Sequence, residues 1–431
     1  MKGRFITAIM VLVLLLAVAP GTSHAALNAV DQSAYQAAFG FFPQWYQDTN
    51  GRALELCLST AVNAGNLPMC VLLANPGIFD PTQPIVFPTN FPDESFWFAA
   101  DGAVTGAGVD LRYVAAVEAA FGSGVPAPND QISFARIRFF ADVPTVGTYT
   151  VTHPYGVEVF EVTEITTGRE IRFTRDIGIG VPGVYTGALK GDIGPFLVAA
   201  TGPITVGTET FIGDPNVTQA VTGSPFGTNF LRVQGPGIDV QNNQFTLAGK
   251  IYPFALPTPL VVERTTYART ATATQAQVDV FATSAPAAVV SFTPPPTPMG
   301  GDPAGPSGRF FGQALVAPAD VPSSVTINAD MPPISPGDPD NTSVVSPLSN
   351  VTDVVTITRV EYGAGTMTIE ASSSDESSPL PDLFFGGTKL TLVGTGPTQS
   401  TTVSGLAIPP VTVTVTSSRG GSDTEDVVVL P

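Results

Sequence analysis

The sequence predicts an all-β, multidomain fold of β-sandwich modules, with an immunoglobulin-like module at the C-terminus. Three observations predict it. Apolar and polar residues alternate in short segments such as 148–153, where Tyr149 and Val151 point to one face and threonines to the other. The chain contains 43 glycines and 41 prolines, which place turns between these segments. An apolar content of 43% is enough to fill several cores.

The N-terminus has the pattern of a secretory signal peptide over residues 1–25. Lys2 and Arg4 form a charged start, an apolar run follows, and Ala25 provides a small residue for cleavage. The apolar run of 13 residues is shorter than the ~20 that a membrane-spanning helix needs. We therefore expect an exported protein in the extracellular space, at the cell surface or in the periplasm, and not a membrane-spanning one.

The charge balance excludes some partners. Loss of Lys2 and Arg4 with the signal peptide takes the formal net charge from −18 to −20. Such an acidic protein repels phosphate backbones, so we expect no nucleic-acid partner, and anionic membrane surfaces are disfavoured for the same reason. Only 13% of residues are charged, which argues against a disordered chain.

Residues 26–104 form a distinct aromatic segment that contains both cysteines, Cys57 and Cys70. In an exported chain the two cysteines are expected to form a disulfide. A loop of this size would contribute about 3 kcal/mol of stability by restricting the unfolded chain. Their spacing is too long for a C-x-x-C motif and no histidine is nearby, so a redox or metal pair is disfavoured.

The aromatic residues of this segment suggest a ligand-binding surface. Trp45, Tyr46 and Trp97 are the candidates, because aromatic rings stack on the apolar faces of sugars. The alternative is that these rings fill a small core beneath proline-rich loops, which is the commoner use of large aromatics. The sequence leaves both interpretations open.

Residues 105–258 are predicted to form a β-sandwich domain. Arg112–Phe121 and Gln131–Phe140 alternate like the two strands of a hairpin, although a helix capped by Asp110 is an alternative for the first of them. The segment around Tyr149 has the pattern of a tyrosine corner, in which a tyrosine lies two residues before a buried position.

Three acidic loops of this domain suggest calcium, the one cofactor that the sequence points to. Asp176, Asp192 and Asp214 each lie next to glycine-containing turns. Carboxylates and loop carbonyls are the ligands that Ca²⁺ prefers. The alternative is that these aspartates form turns by bonding their own backbone, because the loops lack a defined ligand spacing.

The C-terminal half is predicted to contain two further modules and a linker. Residues 259–330 form a second β module, 331–350 a proline-rich linker, and 351–431 an immunoglobulin-like module with about six short strands. In the last module, Thr356–Ala371 has the pattern of a hairpin and 427–430 that of a final strand.

Five segments within residues 40–260 resemble those of a group of exported bacterial proteins of unassigned function. They are GFFPQWYQDTNGRALELCL, FPTNFPDESFWF, GTYTVTHPYGVEVF, IRFTRDIGIG and SPFGTNFLRV. Members of this group combine an N-terminal Trp/Cys segment with β-sandwich, immunoglobulin-like modules. The resemblance implies export and a β-rich fold. It implies no activity and supplies no catalytic residues.

No residue pattern assigns catalysis. After signal removal His153 is the one histidine, so neither a Ser–His pair nor a zinc site has its usual residues. Acidic pairs such as Asp93/Glu94, Glu158/Glu161 and Asp375/Glu376 could serve glycoside hydrolysis by proximity in the sequence alone. We therefore expect a non-enzymatic structural, adhesive or binding protein whose partner is a glycan or another cell-surface component. The alternative is an extracellular carbohydrate-active hydrolase with paired carboxylates.

Overall fold

The computed structural model describes residues 27–33, 35–301, 308–333, 342–394 and 396–431. The predicted signal peptide and the middle of the predicted linker lie outside these ranges. The described chain is all-β, with short 3₁₀ turns as its only helical elements, so the predicted fold class is confirmed. None of the helices in these ranges is long and apolar enough to cross a bilayer. The strands form three units.

The first unit spans residues 27–257. Its elements are β1 (Leu27–Val30), a 3₁₀ turn (Ala37–Phe39), β2 (Trp45–Asp48), β3 (Ala53–Glu55), β4 (Glu94–Gly106), β5 (Val109–Phe121), β6 (Gln131–Asp142), β7 (Gly147–His153), β8 (Gly156–Val162), β9 (Ile171–Ile177), a 3₁₀ turn (Thr186–Lys190), β10 (Val198–Ala199), β11 (Ile204–Val206), β12 (Glu209–Phe211), β13 (Gln219–Thr222), β14 (Leu231–Gly235), β15 (Ile238–Asn242), β16 (Gln244–Ala248), β17 (Lys250–Ile251) and β18 (Leu256–Pro257).

Three sheets enclose the core of this unit. A six-stranded sheet has the order β1-β2-β3-β17-β12-β11, a seven-stranded sheet the order β10-β13-β16-β4-β5-β6-β9, and a four-stranded sheet the order β15-β14-β7-β8. Each sheet contributes inward residues to one hydrophobic cluster, for example Tyr46, Val117 and Val151. The six-stranded sheet carries the candidate site on its other face.

The N-terminal aromatic segment is part of this unit and not a separate layer on it. β4 runs through the predicted boundary at residue 104 and pairs along its whole length with β5. The buried residues of the segment, from Leu27 to Trp97, belong to the same core as those of the sandwich domain. The aromatic density of the segment therefore reflects core packing.

The second unit spans residues 260–353 and is a sandwich of a five-stranded sheet and a four-stranded sheet, with the orders β23-β24-β20-β19-β28 and β22-β21-β25-β27. Its elements are β19 (Leu260–Ala268), β20 (Ala276–Ser284), β21 (Val289–Thr293), β22 (Thr297–Pro298), β23 (Gly300–Gly301), β24 (Arg309–Val316), a 3₁₀ turn (Pro318–Asp320), β25 (Ser324–Asp330), β26 (Thr342–Ser343), β27 (Leu348–Asn350) and β28 (Thr352–Asp353).

The C-terminal part of the predicted linker, residues 342–350, contains two strands, β26 and β27. β26 pairs in parallel with β18 of the first unit, and β27 pairs with β25 of the second. Val351 lies in the core of the second unit, and β28 pairs with β19. The predicted boundary between residues 350 and 351 therefore falls inside the second unit.

The third unit begins at Val355 and is again a two-sheet sandwich, with the orders β33-β34-β30-β29-β37 and β32-β31-β35-β36, as the immunoglobulin-like prediction requires. Its strands are β29 (Val355–Gly363), β30 (Thr366–Ser373), β31 (Leu383–Phe385), β32 (Thr388–Lys389), β33 (Thr391–Leu392), β34 (Gln399–Ser404), β35 (Thr412–Ser417), β36 (Ser422–Asp426) and β37 (Val428–Val429). The predicted hairpin over Thr356–Ala371 and the predicted final strand are confirmed as β29–β30 and β37.

Two local predictions in the first unit are also confirmed. β5 and β6 form the predicted hairpin, and the helical alternative for 112–121 is wrong because this segment pairs with strands on both sides. The Tyr149 hydroxyl donates a hydrogen bond to the Thr145 carbonyl oxygen at 2.8 Å, and Val151 two residues later is fully buried. This is the arrangement of a tyrosine corner.

Candidate functional site

The structure buries two of the three aromatic residues that the sequence suggested for sugar stacking. Trp97 and Tyr46 are each 0% exposed. The Trp97 indole N–H donates to the Pro43 carbonyl oxygen at 3.1 Å, and the Tyr46 hydroxyl donates to the Tyr185 carbonyl oxygen at 2.8 Å. A sugar needs an accessible ring face, so the binding prediction is wrong for Tyr46 and Trp97, which are core residues.

Strand geometry explains both placements. Successive side chains of β2 point to opposite faces, so Tyr46 enters the core and Trp45 faces outward. In β4 the pairing with β5 shifts between Phe96 and Phe98, and Trp97 is the extra residue of this bulge. Trp97 and Phe98 therefore both reach the core, although they are adjacent in the chain.

Trp45 is the predicted ligand residue that stays accessible, and it has aromatic neighbours that the sequence analysis missed. Its ring centroid lies 6.2 Å from that of Tyr252, and the Tyr252 centroid lies 5.4 Å from that of Phe254. Trp45 and Tyr252 are partly exposed, and Phe254 is 62% exposed. We call these three residues the aromatic surface.

The aromatic surface lies at the outer face of the six-stranded sheet: Trp45 belongs to β2, and Tyr252 and Phe254 follow directly after β17. Trp45 of β2 lies opposite Glu55 of β3, and Glu55 lies opposite Lys250 of β17. Directly opposed residues share a face, so these side chains form a row. Tyr252 follows Lys250 by two residues, and its N–H donates to the Ala53 carbonyl oxygen at 2.9 Å. Residues two apart in an extended chain share a face, which brings Tyr252 next to Trp45.

The row next to the aromatic surface carries more negative than positive charge. The Lys250 ammonium lies 2.6 Å from a carboxylate oxygen of Glu55 and 2.6 Å from one of Glu209. Burial opposes ionisation of Glu209, but hydrogen bonds from Lys250 and Ser59 outweigh it and lower the Glu209 pKa. Burial likewise opposes the charge on Lys250, yet its two carboxylate partners raise its pKa. Two carboxylates thus share one ammonium group.

Polar groups extend this row toward the first strand. The Gln44 side-chain amide donates to Glu55 Oε1 at 2.9 Å, and the Gln44 backbone N–H donates to Asp31 Oδ2 at 3.0 Å. Asp31 is buried, with 5% exposure. Burial and the negative charges of Asp31 and Glu55 raise the pKa of Tyr252. Because carboxylates outnumber cations among the described groups of this row, we infer a negative electrostatic potential at the aromatic surface.

The predicted disulfide is confirmed and fixes one end of this sheet face. Cys57 and Cys70 are bonded, with their Cα atoms 5.4 Å apart. Together with Met69 they pack on Phe211, which lies opposite Lys250 in the sheet. The disulfide loop thus covers the Phe211 end of the face and leaves the Trp45 end accessible.

The three aspartates suggested for calcium are not brought together. Each forms its own polar contacts: Asp176 with Arg136, Asp192 with Arg175, and Asp214 with Asn63 and Asn216. Within the described ranges no group of three or more His, Cys, Asp or Glu side chains is placed to hold a metal ion. The Asp214 contacts to Asn216 N–H match the turn-forming alternative. Calcium binding stays a prediction.

His153 is a core residue and not a surface base. It is 0% exposed and next to Tyr113, and its Nδ1 accepts the Tyr155 backbone N–H at 3.3 Å. Burial and the nearby Arg175 lower its pKa to about 3. The ring is therefore neutral at physiological pH and is enclosed by aromatic side chains.

The acidic pairs suggested for hydrolysis have structural partners. Asp375 is fully buried against Arg269, Glu158 lies 2.9 Å from Arg175, and Asp93 accepts a hydrogen bond from Asn75. These contacts hold Asp93, Glu158 and Asp375 in place. Glu376 lines an open cavity together with Asp382, and Asp382 is paired with Lys389 at 2.7 Å.

Three other carboxyls have raised pKa values. Burial raises the pKa of Asp48, which is 0% exposed, to about 6. Burial raises the Glu118 pKa to about 7 despite its contact with Arg136, but Glu118 is 2% exposed. The Asp101 side chain is solvent-accessible, yet surrounding protein excludes enough water to raise its pKa to about 6. The cross-strand neighbours of Asp101 are Val114 and Thr246, which carry no carboxyl. Asp101 thus has no directly opposed carboxylate partner.

The sequence does contain a signal for Tyr252 and Phe254. The segment Tyr252-Pro253-Phe254 repeats the aromatic–proline steps of the N-terminal segment. The sequence did not show where β17 lies in the sheet. It lies between β3 and β12, although it is about 200 residues from β3 in the chain.

No protein-family model and no curated protein matches the chain. Among solved structures, the chain is similar to tandem Ig repeats of Dlar at 10% identity and a TM-score of 0.16, with 40% of this chain and 98% of that chain covered. It is similar to the Bacteroides ovatus mixed-linkage glucan utilization locus SGBP-B in complex with a mixed-linkage heptasaccharide, at 11% identity and a TM-score of 0.17, covering 69% of this chain and 63% of that chain. Sidekick-1 immunoglobulin domains 1–4 match at 8% identity and a TM-score of 0.14, covering 75% of this chain and 83% of that one. At these TM-scores the likenesses carry no argument about function.

Proposed function

We propose that this is an exported, non-enzymatic binding protein that acts outside the cytoplasm and binds a glycan through Trp45, Tyr252 and Phe254. One observation carries the proposal. Three aromatic rings in successive contact are accessible at the edge of the six-stranded sheet's outer face, where burial would have been the ordinary outcome for side chains of this size.

The chemistry next to the rings supports a glycan. Aromatic rings provide apolar contact for the C–H faces of sugars, and polar groups at the edge orient the hydroxyls. Gln44 and Glu209 are partly exposed beside the aromatic surface and offer amide and carboxylate groups for such contacts. A sheet face presents these groups on a fixed backbone, which lowers the ordering cost of binding.

The two C-terminal sandwiches support a structural part of the role. Residues 260–431 form two-sheet units whose cores are separate from that of the first unit. Spacer or adhesive modules are a common use of such sandwiches on exported proteins. We propose that they separate the glycan-binding unit from its point of attachment.

The hydrolase alternative has weaker support. Two carboxylates of the row beside the aromatic surface, Glu55 and Glu209, both hold Lys250, and the Glu209 pKa is lowered. A general acid in glycoside hydrolysis needs a raised pKa. The contact with Lys250 instead lowers the pKa of Glu209.

A glycan array and a hydrolase screen on the same mature protein, with and without Ca²⁺, test the proposal. We expect binding to at least one glycan, loss of that binding in Trp45→Ala and Tyr252→Ala, and no turnover. Phe226→Ala is the matched control, because Phe226 is 58% exposed and lies on a different surface loop of the same unit. Turnover that depends on an acidic residue would refute the non-enzymatic role. Binding that needs Ca²⁺ would assign the metal to the protein.

A further inference from the structure

We propose that the aromatic surface selects uncharged glycans and takes them as single soluble chains, in preference to uronate-containing chains and to flat crystalline polysaccharide. This inference rests on the proposed function and specifies its ligand class. Two features of the site carry it, the tilts of the rings and the excess of carboxylates around them.

The ring planes do not form a flat platform. Trp45 and Tyr252 are inclined by 41°, and Tyr252 and Phe254 by 66°. A flat crystalline face can lie against coplanar rings, but it can touch only one ring of a set inclined in this way. A single chain can turn from one sugar to the next and follow successive rings. The geometry therefore suits a separate, soluble chain.

The charges around the rings disfavour an anionic chain. Glu55, Glu209 and Asp31 lie on or behind the same face, and Lys250 is already engaged by two of these carboxylates. Glu55 and Asp31 are 6% and 5% exposed, so water and salt screen their charges less than those of surface groups. A uronate placed on the rings would meet this negative potential without an unoccupied cation in the described row. Neutral hydroxyls meet no such penalty and can donate to the carboxylates.

Matched pairs of linear oligosaccharides test the charge selection. Each pair has equal length and linkage, with one neutral and one uronate member: galactose and galacturonate, mannose and mannuronate, glucose and glucuronate. For a pair whose neutral member binds, we expect the uronate member to bind about tenfold more weakly at low salt. Insoluble microcrystalline polysaccharide of the same sugar should retain no more protein than a Tyr252→Ala control.

A charge variant checks the cause. Glu209→Gln keeps the shape of the side chain and removes one of the two carboxylates at Lys250. We expect it to reduce the ratio of neutral to uronate affinity about threefold, because the loss of one negative charge favours the uronate member of each pair alone. Folding is checked by the melting temperature, and Asp239→Asn serves as the control because Asp239 pairs with Arg232 in a different sheet.

The outcomes separate this inference from the proposed function. The proposed function and this inference are both supported if the neutral member binds, if Tyr252→Ala loses that binding, and if the uronate member binds more weakly than its neutral partner. If a uronate member binds as tightly as its neutral partner and Tyr252→Ala abolishes it, the proposed function stands and the charge selection is overturned. Retention on crystalline polysaccharide that depends on Tyr252 overturns the single-chain part. If no member binds at all, the proposed function fails and this inference with it.

Discussion

Trp45 and Tyr46 are consecutive residues with opposite environments. The alternation of β2 buries Tyr46 and its hydroxyl among core groups, and it turns Trp45 toward solvent beside Tyr252. The same type of side chain therefore contributes to stability at one position and to a candidate surface at the next. Substitutions can separate these two roles.

The first prediction contrasts the two tryptophans. Trp97→Ala should lower the free energy of unfolding by about 3–5 kcal/mol, because it empties a fully buried site. Trp45→Ala should change it by less than about 1 kcal/mol, because the ring is partly exposed. Chemical denaturation of both variants checks this. Equal losses would mean that Trp45 is a core residue and not part of an accessible surface.

The second prediction concerns His153 and pH. Its pKa is about 3 in the folded protein and 6.5 in the unfolded chain, so the unfolded state takes up the proton first as the pH falls. The stability that this group contributes is present above pH 6.5 and is lost between pH 6.5 and 3, by up to about 1.4 kcal/mol per pH unit.

His153→Gln removes this group and keeps an acceptor for the Tyr155 N–H. Asp48 and Glu118 also titrate in this range, with their pKa values raised by burial to about 6 and about 7, but they are present in both proteins. We therefore expect the stability advantage of the wild type over the variant to shrink from pH 7 to pH 4. A constant difference in urea denaturation across this range would contradict the assignment.

At the scale of elements, the disulfide loop supports one end of the sheet that carries the aromatic surface. Cys57 and Cys70 close a loop of sequence separation 13, and with Met69 they pack on Phe211. The same loop contains Ser59, whose hydroxyl donates to Glu209. The loop is thus joined to the sheet by apolar packing and by a hydrogen bond.

The third prediction is that Cys57→Ser with Cys70→Ser lowers stability by about 3 kcal/mol, mainly through the larger freedom of the unfolded chain. For a unit of this size the loss corresponds to about 6–12 °C in melting temperature. Scanning calorimetry of the variant, with wild type in the presence of a reductant as a second sample, measures it. An unchanged melting temperature in both samples would show that the bond contributes nothing to this unit.

Secondary-structure elements with strict alternation could be predicted from the sequence, and irregular ones could not. In β5 the alternating residues Tyr113, Ala115, Val117, Ala119 and Phe121 identified the hairpin with β6, and all five are buried. The bulge at Trp97 breaks the period, so alternation alone would not place Trp97 and Phe98 on the same side of the sheet.

At the scale of the whole molecule, the second and third units are joined by a buried ion pair. The Arg269 guanidinium donates to both carboxylate oxygens of Asp375, at 2.7 and 2.8 Å, and Tyr267 donates to the same carboxylate. Burial would raise the Asp375 pKa, but these hydrogen bonds and those from Ser377 lower it well below its usual range. Asp375 therefore stays charged in a fully buried position.

The fourth prediction is that Arg269→Ala weakens the docking of these two units by about 3–5 kcal/mol, since it removes the cation that donates to both oxygens of the buried carboxylate and leaves only Arg419, whose Nε lies 4.0 Å away. The Glu376 N–H, which donates to the Arg269 carbonyl oxygen, should then exchange with deuterium much faster. Arg359→Ala is the control, because Arg359 forms exposed ion pairs within the third unit. Equal exchange in the two variants would mean that the Arg269–Asp375 contact does not hold the junction.

Domain organisation was harder to predict than the fold class. Composition separated residues 26–104 from the rest, because aromatics, proline and cysteine are concentrated there. The structure places this segment in the core of the first unit through contacts between β3 and β17, which are far apart in the chain. Composition describes only which residue types occur close together in the sequence. It contains no information about pairing between distant strands such as β3 and β17, and for the same reason Tyr252 was not associated with Trp45.

The affinity of Tyr252→Ala for a neutral glycan that the wild type binds tests the central claim most directly. Tyr252 lies between Trp45 and Phe254, so its removal divides the aromatic surface. By isothermal titration calorimetry we expect a loss of affinity of about tenfold or more, while Phe226→Ala stays within about twofold of the wild type. Wild-type affinity in Tyr252→Ala would contradict the assignment of this surface as the binding site.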